Sequence, residues 1–208
     1  MRAIHPLIQP AQNYVLHIRF FAVLILLIGL SACDNLSQAP AGGISITIIN
    51  QSEIVICEVY ISAEQNDDWG DNFLHEGQGI PAGSQQTFTV SDIPVDIWIR
   101  DCSGEALYSQ GAVNSNITIT IGGLGMQSLH VTNDSDQEVC YFYITTDAAK
   151  GWGEDNLGKV ESILPGQSRY FFLKTGIYSL RAEDCGHNII DEVSEKNLQQ
   201  SSSWVISP

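Results

Sequence analysis

The chain has 208 residues and carries 24 acidic against 9 basic side chains, a formal charge of −15. A balance this acidic argues against nucleic acid as a partner, which selects a basic face. It argues equally against electrostatic docking on anionic lipid.

In chain order, the N-terminal segment reads as an export leader. Arg2 and Arg19 precede an uncharged run of eleven apolar or small residues, Phe20 to Leu30. That run is too short for a membrane-spanning helix, which needs about 20 residues. It fits a secretory apolar region of about 7–15 residues. The run closes on Leu30-Ser31-Ala32-Cys33, which resembles the lipobox of bacterial lipoproteins. The resemblance implies cleavage before Cys33 and a diacylglyceryl group on its thiol. An ordinary signal peptide with an incidental Cys33, or an uncleaved anchor, are the alternatives. Asp34 resembles the signal that retains lipoproteins on the inner membrane of enteric bacteria. The leader thus covers 1–32 and a lipidated, flexible tether 33–43. Beyond the leader 7 basic and 24 acidic residues remain, a charge of −17, so the lipid is the expected membrane contact. Several acyl chains give the lasting attachment that one chain does not.

Removing Cys33 from five cysteines leaves Cys57, Cys102, Cys140 and Cys185. An even remainder in an exported chain reads as disulfides. The absence of any Cys-x-x-Cys pair argues against structural zinc.

A shift of 83 residues superimposes Asn50 on Asn133, Ser52 on Ser135, Cys57 on Cys140 and Tyr60-Ile61 on Tyr143-Ile144. The same shift carries Trp69-Gly70 onto Trp152-Gly153, Leu74 onto Leu157 and Asp101-Cys102 onto Asp184-Cys185. There are 13 identities over positions 50–104 without a gap, which marks a duplication. The repeats are placed at 44–122 and 126–208, with Gly122-Gly123-Leu124-Gly125 between them. Pairing within each copy, Cys57 with Cys102 and Cys140 with Cys185, follows most simply from the duplication.

Each copy reads as β. Ile44, Ile46 and Ile48 alternate with polar residues, as do Ile117, Ile119 and Ile121, and Leu129 and Val131 take the equivalent inward places. Val55, Cys57, Val59 and Ile61 share one phase, repeated by Cys140, Phe142 and Ile144, which puts the first cysteine on the core side. Val95, Ile97 and Ile99 leave Cys102 out of phase, as Tyr178, Leu180 and Ala182 leave Cys185. Each bridge is therefore expected at a bulge or just past a strand end. About seven short strands per copy predict two tandem small antiparallel β-sandwiches of immunoglobulin-like or transthyretin-like kind.

The pattern Asn-x-Ser, Cys-x-x-Tyr-Ile-[Ser/Thr], Trp-Gly-[Asp/Glu]-[Asn/Asp]-x-Leu and Asp-Cys resembles a repeat of uncharacterised exported bacterial lipoproteins. The match covers both copies and is better in the second, over Leu180 to Cys185. In the first, Trp98-Ile99-Arg100 departs from it. The resemblance implies location and fold, with no activity attached.

His75, His130 and His187 do not recur between copies, and no hydrolase, zinc-protease or phosphate-loop motif is present. No enzyme is expected. The Trp-Gly loops are the candidate binding elements: Trp69, Asp71 and Asn72 in one copy, Trp152, Glu154 and Asp155 in the other. Their acids could serve calcium, which takes six to eight oxygen donors, although neither loop has calcium-hand spacing. Their tryptophans could stack on a sugar or a peptide. The plainest expectation is that each tryptophan plugs one end of its sandwich while the acids face water. The leading functional reading is an envelope lipoprotein that binds a protein or glycan. A calcium-dependent adhesin-like or carbohydrate-binding module is the alternative.

Overall fold

The computed structural model of the chain describes residues 43–207, apart from Gln65 and Asp67. Cys33, the leader and most of the tether lie outside the described residues. Six strands occur in the first copy, β1 (Ile44–Gln51), β2 (Ile56–Ala63), β3 (Gln85–Val90), β4 (Val95–Asp101), β5 (Ala106–Val113) and β6 (Ile117–Gly122). Six more follow in the second, β7 (Met126–Asn133), β8 (Tyr141–Thr145), β9 (Ser168–Lys174), β10 (Gly176–Glu183), β11 (Ile189–Leu198) and β12 (Ser202–Ile206). The described residues are all-β, with six strands in each copy among them where the sequence suggests about seven.

In each copy three strands form each layer. The first copy stacks β3-β1-β6 on β2-β4-β5, and the second stacks β9-β7-β12 on β8-β10-β11. The layers are not wholly antiparallel, because β1 runs parallel to β6 and β7 parallel to β12. The expected alternation fills the cores. Ile46, Ile48, Ile97 and Ile99 are fully buried in one, and Leu129, Val131, Phe142 and Leu180 in the other.

The layers β2-β4-β5 and β9-β7-β12 join edge to edge as one six-stranded sheet. The join is a single parallel pairing, Ala106 beside Arg169. One sheet runs through both copies, and the described residues form one compact unit with two cores.

Two invariants of the repeat explain the local build. Asn50 is fully buried and uses its whole amide. Its Nδ2 donates to the carbonyls of Ile54 and Ile80, both at 2.8 Å, and its Oδ1 accepts from the Ser52 N–H and hydroxyl. Asn133 repeats this with Gln137, Ile163 and Ser135. Each pair ties the turn after the first strand to the distant segment leading into the third. A buried amide is tolerated only when so satisfied.

The disulfides pair within each copy, Cys57 with Cys102 and Cys140 with Cys185, at Cα separations of 4.8 and 4.9 Å. The register between β2 and β4 slips at Cys57, which is a bulge, and Cys102 lies just past β4. The bulge corrects the expected phase of the incoming strand. Ile56 and Val139 enter the core, Val55 is exposed, and Cys57 and Cys140 sit at the rim.

Candidate functional site

The Trp-Gly loops leave the second strand of each copy and fold back over the outside of the sheet. Asn72 and Asp155 anchor them. Asn72 Oδ1 accepts the N–H groups of Val59 and Leu74, both at 2.9 Å, and its Nδ2 donates to the Cys57 carbonyl. Asp155 Oδ1 accepts from Phe142 at 2.8 Å and Leu157 at 3.0 Å. These two candidate ligands are therefore brackets that hold the loop to its strand. The plugs are Leu74 and Leu157, both buried. This corrects the expectation for the tryptophans, which are half-buried on the outer face of the sheet.

What each tryptophan covers differs between the copies. Trp69 packs on Trp98 with ring centroids 5.4 Å apart, and Tyr60 lies 5.9 Å from Trp98 on its strand neighbour. Arg100 sits over the Trp98 ring at 4.5 Å and pairs with Glu58 at 3.0 Å. In the second copy Trp152 packs on Arg181, 4.1 Å from the guanidinium to the ring centroid. Arg181 pairs with Glu192 at 2.7 Å, and His187 stacks on Tyr141 at 4.0 Å. Burial, then neighbouring Glu58 or Glu183, raises the phenols of Tyr60 and Tyr143 above the ordinary range, so both stay neutral donors.

The acids do not converge. Asp71 and Glu154 are exposed, and Asp68 caps its own loop by accepting the Gly70 N–H at 3.0 Å. Among the described residues, three metal-capable side chains gather only at Glu138, Cys140 and Cys185, where the two sulfurs are bonded to each other. Of the histidines, His75 is exposed, His130 contacts Glu105 at 2.9 Å and His187 contacts Glu183 at 3.3 Å.

Where the copies meet, Arg169 of β9 and Glu161 form an ion pair with both side chains 6 % exposed. Burial lowers the Arg169 guanidinium from its ordinary value, and Glu161 opposes that shift. Arg169 also donates from Nη1 to the Ser109 hydroxyl at 3.2 Å, and that hydroxyl donates to the Leu157 carbonyl. Two grooves flank this contact. One, of about 280 Å³, lies between Trp98, Arg100 and Glu105 on one side and Glu161, Ser162 and Ser168 on the other. The second, of about 720 Å³, runs from Asp96 and Gly111 to Asp155 and Val160. Gly111 allows the close approach, because a Cβ there would meet Val160 Cγ1 at 2.8 Å.

Sequence reasoning missed Trp98, Arg100, Arg169 and Glu161 as site residues. The available signal was their divergence within an otherwise repeated frame: position 98 holds Trp in one copy and position 181 holds Arg in the other.

No protein-family model matches this chain, and no curated protein matches it. Several solved structures overlap it. The Bacillus anthracis TIE protein does so at 11 % identity and a TM-score of 0.26, over 80 % of this chain and 33 % of its own. A leucine-rich repeat protein from Bacteroides thetaiotaomicron does so at 6 % and 0.29, over 80 % and 27 %. A streptococcal ancillary pilin does so at 9 % and 0.26, over 81 % and 63 %. The chain thus spans a third or less of the first two proteins and under two thirds of the pilin.

Proposed function

We propose that this chain is an exported binding module, tethered to the bacterial envelope by lipid on Cys33, that presents its two Trp-Gly faces to an envelope polymer or protein. The observation that carries the binding half is the placement of Trp69 and Trp152. Both lie half-exposed on outer sheet faces, held there by the Asn72 and Asp155 brackets rather than consumed in the cores. A rigid aromatic surface costs little conformational entropy to present, which is why tryptophan and tyrosine dominate binding hot spots. The anchoring half is supported by the apolar run that ends in Leu30-Ser31-Ala32-Cys33. The two disulfides suit a chain that folds outside the reducing cytosol.

The second reading, calcium-dependent binding through the same loops, has less to draw on. Two of its expected ligands, Asn72 and Asp155, already accept backbone N–H groups. Calorimetric unfolding at millimolar calcium decides it: an unchanged transition temperature removes it, and a rise restores it.

Labelling growing cells with a clickable palmitate tests the anchor. The protein is expected to label, to fractionate with the envelope, and to lose both properties in Cys33→Ser. An unlabelled soluble protein with free thiols would overturn the reading. Binding itself is tested by sedimentation with detergent-washed cell walls.

A further inference from the structure

We propose that β3, a free edge of the first copy, is a dimerisation strand that pairs antiparallel with β3 of a second molecule of this chain. The inference goes beyond the binding-module reading and stands whether or not Cys33 carries lipid.

The first observation comes from the duplication. β9 is the counterpart of β3 under the 83-residue shift, and its outer edge is taken: β5 lies against it at the joint, with Ala106 beside Arg169. In the first copy no strand takes that place among the described residues, and β3 pairs with β1 alone. The Asn50 N–H donates to the Ser84 carbonyl at 2.9 Å, which sets the phase of that ladder. Gln86, Phe88 and Val90 therefore face β1, and Gln85, Thr87 and Thr89 turn their backbone N–H and C=O groups outward.

The second observation is that this edge is undefended. Free edges are normally blunted by charge, proline, a bulge or a covering loop. The loops held by Asn72 and Asp155 cover β2 and β8. β11 carries Asp191, Glu192 and Glu195, with a positive φ at Glu195. Lys196 and Asp191 guard β12, at the Ser203 carbonyl (2.6 Å) and the Ser207 N–H (3.2 Å). β6 comes close to β7 and β9 of the second copy. β3, in a chain of −15, has no charge, no proline and no break in register. Beside it Phe73 meets Phe88 edge-on at 5.9 Å and stays 39 % exposed. Its counterpart in the second copy is Asn156, which lines the larger groove at the joint.

A head-to-tail contact would repeat the joint by setting β11 of another chain against β3, and the acids and bulge of β11 oppose it. Pairing β3 with itself avoids them. It also closes after two chains, because an isologous contact uses the same surface on both sides. The register that uses all three outward residues puts Thr87 opposite Thr87 on the two-fold axis and Gln85 opposite Thr89 of the other chain. The outward donors and acceptors of both edges are then met, and every facing pair is uncharged. Threonine pairs of this kind favour strand pairing.

The test measures the protein mass of the full chain by sedimentation equilibrium in a density-matched neutral detergent. Twice the chain mass is expected, falling to a single chain in Thr87→Lys with its melting transition kept. Thr118→Lys, on exposed β6, is expected to remain a dimer. Facing residues of such a pair lie about 5.5 Å apart at Cα, within disulfide range. Mild oxidation of envelopes should therefore link Thr87→Cys into a dimer and leave Thr118→Cys unlinked. A single-chain mass for the unmodified protein at micromolar concentration would overturn the proposal. So would a dimer that survives Thr87→Lys, or equal linking of both cysteine variants. Linking of Thr87→Cys to a different protein would assign the edge to another partner and overturn the self-pairing.

Discussion

The Trp-Gly loop of the first copy closes over Trp98, flanked by Tyr60 and Arg100, whereas that of the second closes over Arg181, flanked by Tyr143 and Glu183. Beneath these different surfaces the frames agree in detail. Asn50 and Asn133 make the same hydrogen bonds, and the bulges at Ala112 and Glu195 share φ values of 56° and 55°. Duplication has kept what the sandwich needs and released what faces outward. The edges tell the same story. At the joint β5 brings Ser109 to Arg169, which itself pairs with Glu161. At the corresponding free edges the 83-residue shift places Glu192 on β11, and Gln86 and Gln78 in the first copy. The joint contacts are therefore missing where a further repeat would dock, and acidic β11 discourages strand addition.

The joint provides the largest expected effect. Arg169→Ala leaves Glu161 buried and unpaired, and should cost about 3–5 kcal/mol in urea unfolding. The double change Arg169→Gln with Glu161→Gln installs what the first copy carries at those positions and should recover much of that loss. A double variant no better than the single would break the comparison between joint and free edge.

Each disulfide closes 45 residues and should contribute about 4 kcal/mol. Replacing either pair by alanine is expected to destabilise by similar amounts, since both bridges close loops of equal length at nearly equal Cα separations, 4.8 and 4.9 Å. Unequal losses in denaturant melts would show that the frames are less equivalent than their bonding suggests.

Asn50→Ala and Asn133→Ala each strand two carbonyls and a serine, and should cost roughly 2–3 kcal/mol apiece. The smallest effect is at Asp184. Hydrogen bonds from the Asn188 side chain and backbone hold its carboxyl below the ordinary value of 3.8. A depressed folded value contributes stability above the ordinary value, and this is lost as pH falls through the lowered one. Asp184→Asn should therefore lose a little stability at neutral pH, converge with the unmodified chain in acid, and so flatten the acid end of the stability curve when urea unfolding is followed across pH.

Much of the frame was legible in the sequence because period-two alternation and a fixed repeat offset are local signals. Ile44–Ile48, Val95–Ile99 and the cysteine pairing needed nothing more. The phase at Cys57 was misread because a bulge inserts one residue without any compositional mark. Ala112 and Glu195, at positive φ, carry no glycine to announce the turn. The tryptophans were misplaced because a large apolar residue in a loop reads as a plug, and only the tertiary fold shows Leu74 and Leu157 already filling that place. The joint was invisible, since it depends on which strand edges meet.

The central claim, that the outward tryptophans bind an envelope polymer, is tested most directly by sedimenting the detergent-solubilised protein with detergent-washed cell walls. Saturable co-sedimentation is expected for the unmodified chain, weakened in Trp69→Ala and in Trp152→Ala while both variants keep their disulfides and melting transitions. A protein that stays in the supernatant, or one whose binding ignores both substitutions, would contradict it.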